Sequence, residues 1–193
     1  RCLALANYLE KLKAKVIFIC RNHYGSSHEL VLKQKFRLHL LNGKEDQEIS
    51  LKHKDWLGFS QLQDVSESSI FIDMYPGSHV IVDHYGLDCQ WESNINCESM
   101  TVIDDLADRH HKCSLLIDQS LKNTKLNYEN LVDGNFDFMG GNLVILREEF
   151  SDERAWEALG SGKVLICMGG ADPKSYTKKI LENIILNHKR CSS

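Results

Sequence analysis

The sequence predicts a doubly wound α/β fold built on a parallel sheet, and three observations carry that expectation. Short apolar runs such as VIFIC (16–20) and VLICMGG (164–170) are continuous and do not alternate, which suits parallel strands covered on both faces. Segments with helical spacing separate these runs, as βαβ units require. Nothing approaches the run of about 18 apolar residues that a membrane span needs.

Taken in order, residues 2–13 place Cys2, Leu5, Ala6, Leu9 and Leu12 on one helical face, and Val16 to Cys20 follow as a buried strand. A helix near 26–34, strand FRLHLL (36–41), a helix near 60–74 and strand HVIVDHY (79–85) come next. A helix opened by Asp88, strand MTVIDD (100–105) and strand CSLLIDQS (113–120) complete a first domain spanning 1–147. Residues 148–162 read as a charged connector that ends in Gly160, Ser161 and Gly162. From 163 the pattern starts afresh with a strand. A helix follows that buries Tyr176, Ile180, Leu181, Ile184 and Ile185, with Pro173 in its first turn. This last βα unit, 163–193, cannot cover both its faces alone. The chain also opens on Arg1 instead of a methionine and runs directly into a helix, so a chain cut at both ends is expected.

Composition narrows the class. At 193 residues the chain exceeds the usual single domain of roughly 100–150 residues and falls short of two. It is 42% hydrophobic and 26% charged with two prolines, which excludes disordered and collagen-like classes. A net charge of −4 gives no argument for nucleic acid or an anionic membrane. Trp56, Trp91 and Trp156 lie too far apart for a single-strand stacking platform. The seven cysteines are odd in number and form no C-x-x-C pair, and Cys20 and Cys167 sit in apolar runs as small hydrophobes. A disulfide framework is therefore not expected. Glu10, Lys11 and Lys13 interrupt any signal-peptide pattern, so the cytoplasm is the expected compartment.

Three segments carry chemistry. VIVDHYGLD (80–88) ends a strand with Asp83, His84, Tyr85 and Gly86, where open α/β sheets bind ligands; a plain turn with Asp88 as helix cap is the alternative. VIDDLADRHHKC (102–113) carries Asp104 and Asp105 at another strand end, then Asp108, Arg109, His110 and His111. Adjacent histidines diverge and fit no common zinc spacing, so a polar loop bordering a cleft is expected, with no metal. MGGADP (168–173) opens a helix, and Gly169 and Gly170 would let a phosphate approach its N-terminus; a tight strand-to-helix turn is the alternative. GSGK (160–163) is not a P-loop, because Glu157 and Val164 stand where glycine and Ser or Thr are required. The histidines at 23, 28, 39, 53, 79 and 188 are scattered, and no partners are expected for them.

As an ordered set, RCLALANYL, VDHYGLD, VIDDLADRHHKCSLLIDQ, YENLV, LREEF and ICMGGADP resemble the hydrolase family of pseudaminic acid biosynthesis. The resemblance implies an N-terminal Rossmann-like domain of MurG-like GT-B architecture followed by the start of a second Rossmann-like domain. It also implies release of UDP from a UDP-linked diacetamido-trideoxy-altropyranose by water attack at the anomeric carbon, with inversion. Tyr85 matches the family's active-site tyrosine, with Asp83 and His84 beside it as catalytic candidates. Arg1, Asp104, Asp105, Gly169 and Gly170 are the substrate-binding candidates. Arg1 matches the close of a GxGHxxR turn, which places the family's basic histidine three residues ahead of this chain, so the chain alone is expected to be inactive. Leu143 and Val144 depart from a Tyr-Ala pair common in the family. The implied partner is the UDP-sugar; no cofactor, metal, nucleic acid or membrane is implied, and a monomer is expected. A GT-B glycosyltransferase and a non-catalytic α/β interaction domain remain the alternatives, because fold alone does not fix function.

Overall fold

The computed structural model describes residues 1–44, 52–141, 143–150, 165–168, 172 and 174–191. The chain divides into two compact units, Arg1–Ser151 and Asp152–Ser193.

In the first unit α1 (Cys2–Lys11) leads to β1 (Ile17–Arg21), and α2 (His28–Lys33) to β2 (Arg37–Leu41). A 3₁₀ turn (His53–Leu57), closed by Gly58 in the left-handed region at φ 71°, precedes α3 (Gln61–Ile72). Then come β3 (His79–Val82), α4 (Cys89–Glu92), β4 (Ser99–Ile103), β5 (Leu115–Asp118), α5 (Lys125–Tyr128) and β6 (Asp137–Gly140). Every strand pair is parallel: β1 with β2, and β3, β4, β5 and β6 in that order. The described strands form two parallel sheets, β1 with β2 and β3 through β6, in a Rossmann-like α/β arrangement in which sites form beyond the strands' carboxyl ends.

Burial explains the continuous apolar runs. Phe18 packs with Ala6 of α1 and Val31 of α2, whereas its neighbour Ile19 packs against the larger core around Val82, Trp91, Val102 and Leu116. Successive strand residues face opposite ways, so β1 is covered on both faces. Met100, Thr101, Val102 and Ile103 of β4 are all buried, for the same reason.

Several expectations shift. β3 stops at Val82, which leaves Asp83, His84 and Tyr85 beyond the strand where a ligand can reach them. The sequence reading did not anticipate β6, α5 or the 3₁₀ turn. These are four-residue and five-residue elements, too short to show a period.

In the second unit the described part of the expected strand, Leu165–Met168, forms no strand, and Leu165 is 90% exposed. A lone strand has no ladder to join. Cys167 is accordingly exposed, not buried as a small hydrophobe. The helix α6 runs Tyr176–Cys191, so it begins three residues after Pro173. Tyr176, Leu181, Ile184 and Ile185 are each more than 40% exposed, which corrects the expectation that this helix buries them. Among the described residues, no helix is long and apolar enough to cross a membrane.

Candidate functional site

The strand-end turn after β3 is fixed from within. His84 Nδ1 accepts the Gly86 N–H at 3.0 Å, and Leu87 N–H returns to the His84 carbonyl at 3.2 Å. A Cβ at Gly86 would stand 3.0 Å from His84 Cε1 and 3.2 Å from Leu57 Cβ, so glycine permits this close approach. Burial pushes the His84 pKa down, with Asp64 partly opposing it, which favours the neutral ring that can accept from Gly86. Asp88 then caps α4 by accepting from Gln90 N at 2.8 Å.

Four of the expected residues meet just beyond β3 and β4. Arg1 Nη2 lies 2.6 Å from Asp83 Oδ1, and Arg1 Nη1 lies 3.4 Å from Asp105 Oδ2. Tyr85 donates its hydroxyl to Asp105 Oδ1 at 2.7 Å. Burial and the bond to Asp105 raise the Tyr85 pKa, with Arg1 partly offsetting them, so the phenol stays protonated and acts as a donor. Burial opposes the Arg1 charge, but Asp83 and Tyr85 more than compensate, and the guanidinium is held protonated. Cys2 Sγ sits 3.3 Å from Asp83, and burial together with that carboxylate pushes its thiol up to about 12, which removes it as a nucleophile. The cluster therefore offers a phenol donor, a cation and two carboxylate acceptors, a set that can orient a hydroxyl or a water molecule.

Asp104 is placed differently from Asp105. It is fully buried, its Oδ2 accepts from Leu106 N and Ala107 N, and Tyr128 Oη lies 3.1 Å away. Its Oδ1 is 2.7 Å from Arg109 Nη1, an ion-pair contact outside hydrogen-bond alignment. Asp104 thus shapes the 104–109 loop from below. Gly169 and Gly170 lie outside the described residues. Nearby, Asp172 accepts from Tyr176 N and Thr177 N at 2.8 and 2.9 Å and so occupies N–H groups at the start of α6.

The sequence reading missed an aromatic corner. A cleft of about 560 Å³ opens beside Tyr85, with His53, Lys54, Phe59, Asp108 and Arg109 in its walls. His53 stands 5.2 Å from the Tyr85 ring and 4.7 Å from Trp56, and the Trp56 ring is 5.8 Å from Tyr85. The guanidinium groups of Arg1 and Arg109 lie 5.8 and 5.7 Å from the Tyr85 centroid. The only sequence signal was the aromatic pair His53 and Trp56 next to a glycine turn.

Four of the other histidines thought to be without partners are engaged too, while the side chain of His188 lies outside the described residues. His23 Nε2 lies 3.0 Å from the Leu57 carbonyl, His28 pairs with Ser26, His39 stacks on Phe71 at 4.3 Å, and His79 contacts Ser99 and Thr101. His111 is buried against Glu92. Among the described residues, no group of three or more His, Cys, Asp or Glu side chains is arranged to hold a metal ion.

Comparison with known proteins gives one informative similarity. The chain is 30% identical over 109 residues to the UDP-2,4-diacetamido-2,4,6-trideoxy-beta-L-altropyranose hydrolase of Campylobacter jejuni subsp. jejuni serotype O:2. That match covers 54% of this chain and 39% of the relative, so the chain spans about two-fifths of that protein's length and the relationship is distant. No family model matches the chain, and no solved structure matches it.

Proposed function

We propose that this chain forms the sugar-facing part of a nucleotide-sugar hydrolase. The proposed reaction releases UDP from UDP-2,4-diacetamido-2,4,6-trideoxy-β-L-altropyranose in pseudaminic acid biosynthesis. The observation that carries the reading is the Arg1–Asp83 and Tyr85–Asp105 cluster beyond the carboxyl ends of β3 and β4. The distant hydrolase relative supports it. Water attacks the anomeric carbon, the bond from that carbon to the UDP oxygen breaks, and configuration inverts. The proton lost by water goes to a general base, which the family resemblance makes a histidine three residues ahead of Arg1. Tyr85, fixed by Asp105, positions the sugar or the water. Arg1, anchored on Asp83, adds positive charge where the departing diphosphate needs it.

The test is a coupled assay of UDP release, run on this 193-residue chain and on the product of the uninterrupted reading frame around it. The longer product is expected to hydrolyse the UDP-sugar, and Tyr85→Phe in it to lower kcat at least tenfold with little change in KM. Hydrolysis is not expected from the chain alone. An inactive longer product, or equal rates from the two, would overturn the reading.

A further inference from the structure

We propose that the amino-terminal edge of β1 and β2 is a docking surface for an anionic lipid bilayer. The net charge of −4 gave no argument for such a membrane, but it averages over a chain whose charge is unevenly spread. The turns that lead into β1 and β2 are built alike. At the end of α1, Lys13 N–H donates to the Glu10 carbonyl at 2.9 Å and Ala14 N–H to the Leu9 carbonyl at 3.0 Å. At the end of α2, Lys35 N–H donates to the Leu32 carbonyl at 2.9 Å and Phe36 N–H to the Val31 carbonyl at 3.3 Å. Both are Schellman closures, whose left-handed position is usually glycine. Here it holds Lys13 at φ 68° and Lys35 at φ 63°. Both turns thus carry a cation where glycine would be less strained.

Further cations gather at the same edge. Lys15 Nζ and Arg37 Cζ lie 5.1 and 5.8 Å from the ring of Tyr75, in the turn before β3, and Lys33 ends α2. Lys13, Lys15, Lys33, Lys35 and Arg37 are all exposed, and none forms an ion pair with a described residue. Lys11, by contrast, is taken by Glu148 at 2.6 Å. Glu10 and Asp73 are the acids on these stretches, so five cations against two carboxylates leave +3. Four of the five are lysines, compact charges without the fork of arginine, which suit a diffuse layer of lipid phosphates better than fixed carboxylate pairs on a protein. Leu12, Leu32 and Met74 are each more than half exposed along the same stretches. Aliphatic and basic residues mixed on one edge match the boundary between headgroups and acyl chains, whereas single-stranded nucleic acid would call for a row of stacking rings. The Tyr85 cluster lies beyond the opposite ends of the strands, so a chain docked by this edge leaves it open to solution.

The experiment is co-sedimentation of the 193-residue chain with two kinds of vesicle, phosphatidylcholine alone and equal parts phosphatidylcholine and phosphatidylglycerol. Binding is expected to the mixed vesicles alone, and to fall about tenfold or more when salt rises from about 0.1 to 0.5 M. Lys15→Glu with Arg37→Glu should lower partitioning by about tenfold or more, and Lys13→Glu with Lys35→Glu should do the same. Circular dichroism checks that each pair keeps the fold. Lys178→Glu with Lys179→Glu, exposed on α6, makes the same change in net charge and should alter binding less than about twofold. Equal binding to both vesicles, or binding to neither, would overturn the docking surface. So would an equal loss from the α6 pair, or binding to duplex DNA or polyglutamate in place of the mixed vesicles.

Discussion

Replacing Tyr128 with phenylalanine should cost the first unit about 1.5–3 kcal/mol at pH 7, the range for one hydrogen bond to a charged acceptor. The ring is fully buried and lies 5.7 Å from Phe138, so phenylalanine keeps the packing and opens no cavity. The hydroxyl has one proton and two carboxylates within reach, Asp118 Oδ2 at 2.7 Å and Asp104 Oδ2 at 3.1 Å. The shorter contact marks Asp118 as the acceptor. Asp118 would retain Ser120 N at 2.7 Å and Asn123 Nδ2 at 2.9 Å, and Asp104 would retain two backbone donors. Neither carboxylate is orphaned, which bounds the loss to that one bond.

The penalty should also depend on pH. Burial raises the Asp118 pKa, but hydrogen bonds from Ser120, Asn123 and Tyr128 outweigh it and hold the carboxyl below its ordinary value. A depressed folded pKa contributes stability above the unfolded value, about 3.9, and loses it as pH falls through the folded one. The substitution removes part of that depression, so its cost is full at pH 7 and shrinks below about pH 4. Urea unfolding followed by tryptophan fluorescence reads both effects. With a slope of about 2 kcal/mol/M, the midpoint should fall by about 1 M at pH 7 and by much less at pH 3. A fall under about 0.2 M at pH 7, or equal falls at the two pH values, would refute the reasoning.

Two further outcomes follow from buried groups. His111 and Glu92 are both fully buried, with Nδ1 2.7 Å from Oε1. His111→Ala leaves that carboxylate with only the Lys112 N–H. A loss of about 3 kcal/mol is expected, read as a drop in Tm of roughly 6–12 °C, and a drop under about 2 °C would contradict it. For thiol reactivity, Cys167 is exposed, whereas Cys2 and Cys113 are pushed up to about 12, chiefly by burial. Iodoacetamide at about pH 8 should therefore label Cys167 ahead of Cys2 and Cys113, by mass mapping. Equal labelling of Cys2 would mean that its contact with Asp83 is not held.

The parallel architecture was legible because β1 is covered on both faces and β4 is buried on both, which leaves unbroken apolar runs. The cluster of Asp83, Tyr85 and Asp105 was legible for a related reason: polar residues that directly follow such runs fall at the strands' carboxyl ends. Arg1 was reached only through the family resemblance, since its partner Asp83 lies 82 positions away. The aromatic corner was not legible, because nothing local joins His53 to Tyr85; α3 and β3 must form first. The buried Arg21–Asp64 pair, 2.6 Å apart with Trp91 Nε1 also on Asp64, is hidden in the same way. Gly169 and Gly170 drew attention by their type alone, which is weaker evidence than position in a sheet.

Asp104 and Asp105 show how stability and the site come to share one piece of backbone. Leaving a strand, successive side chains diverge, so one carboxylate turns into the core and the other toward the cleft. Asp104 holds the tight turn through Ala107, whose φ of 51° is unusual for a residue with a Cβ, and so sets where Asp108 and Arg109 emerge. Asp105 is anchored by its main chain as well as its side chain: Asn123 Nδ2 donates to its carbonyl at 3.2 Å and to Asp118 Oδ2 at 2.9 Å. Asp118 is in turn the acceptor for Tyr128. The carboxylate that fixes the Tyr85 hydroxyl therefore rests on Asn123, Asp118 and Tyr128. A site built this way draws its precision from the rigid strands β4 and β5 beneath it. Loosening the core at Tyr128 should then displace the Tyr85 hydroxyl even though the two side chains share no contact.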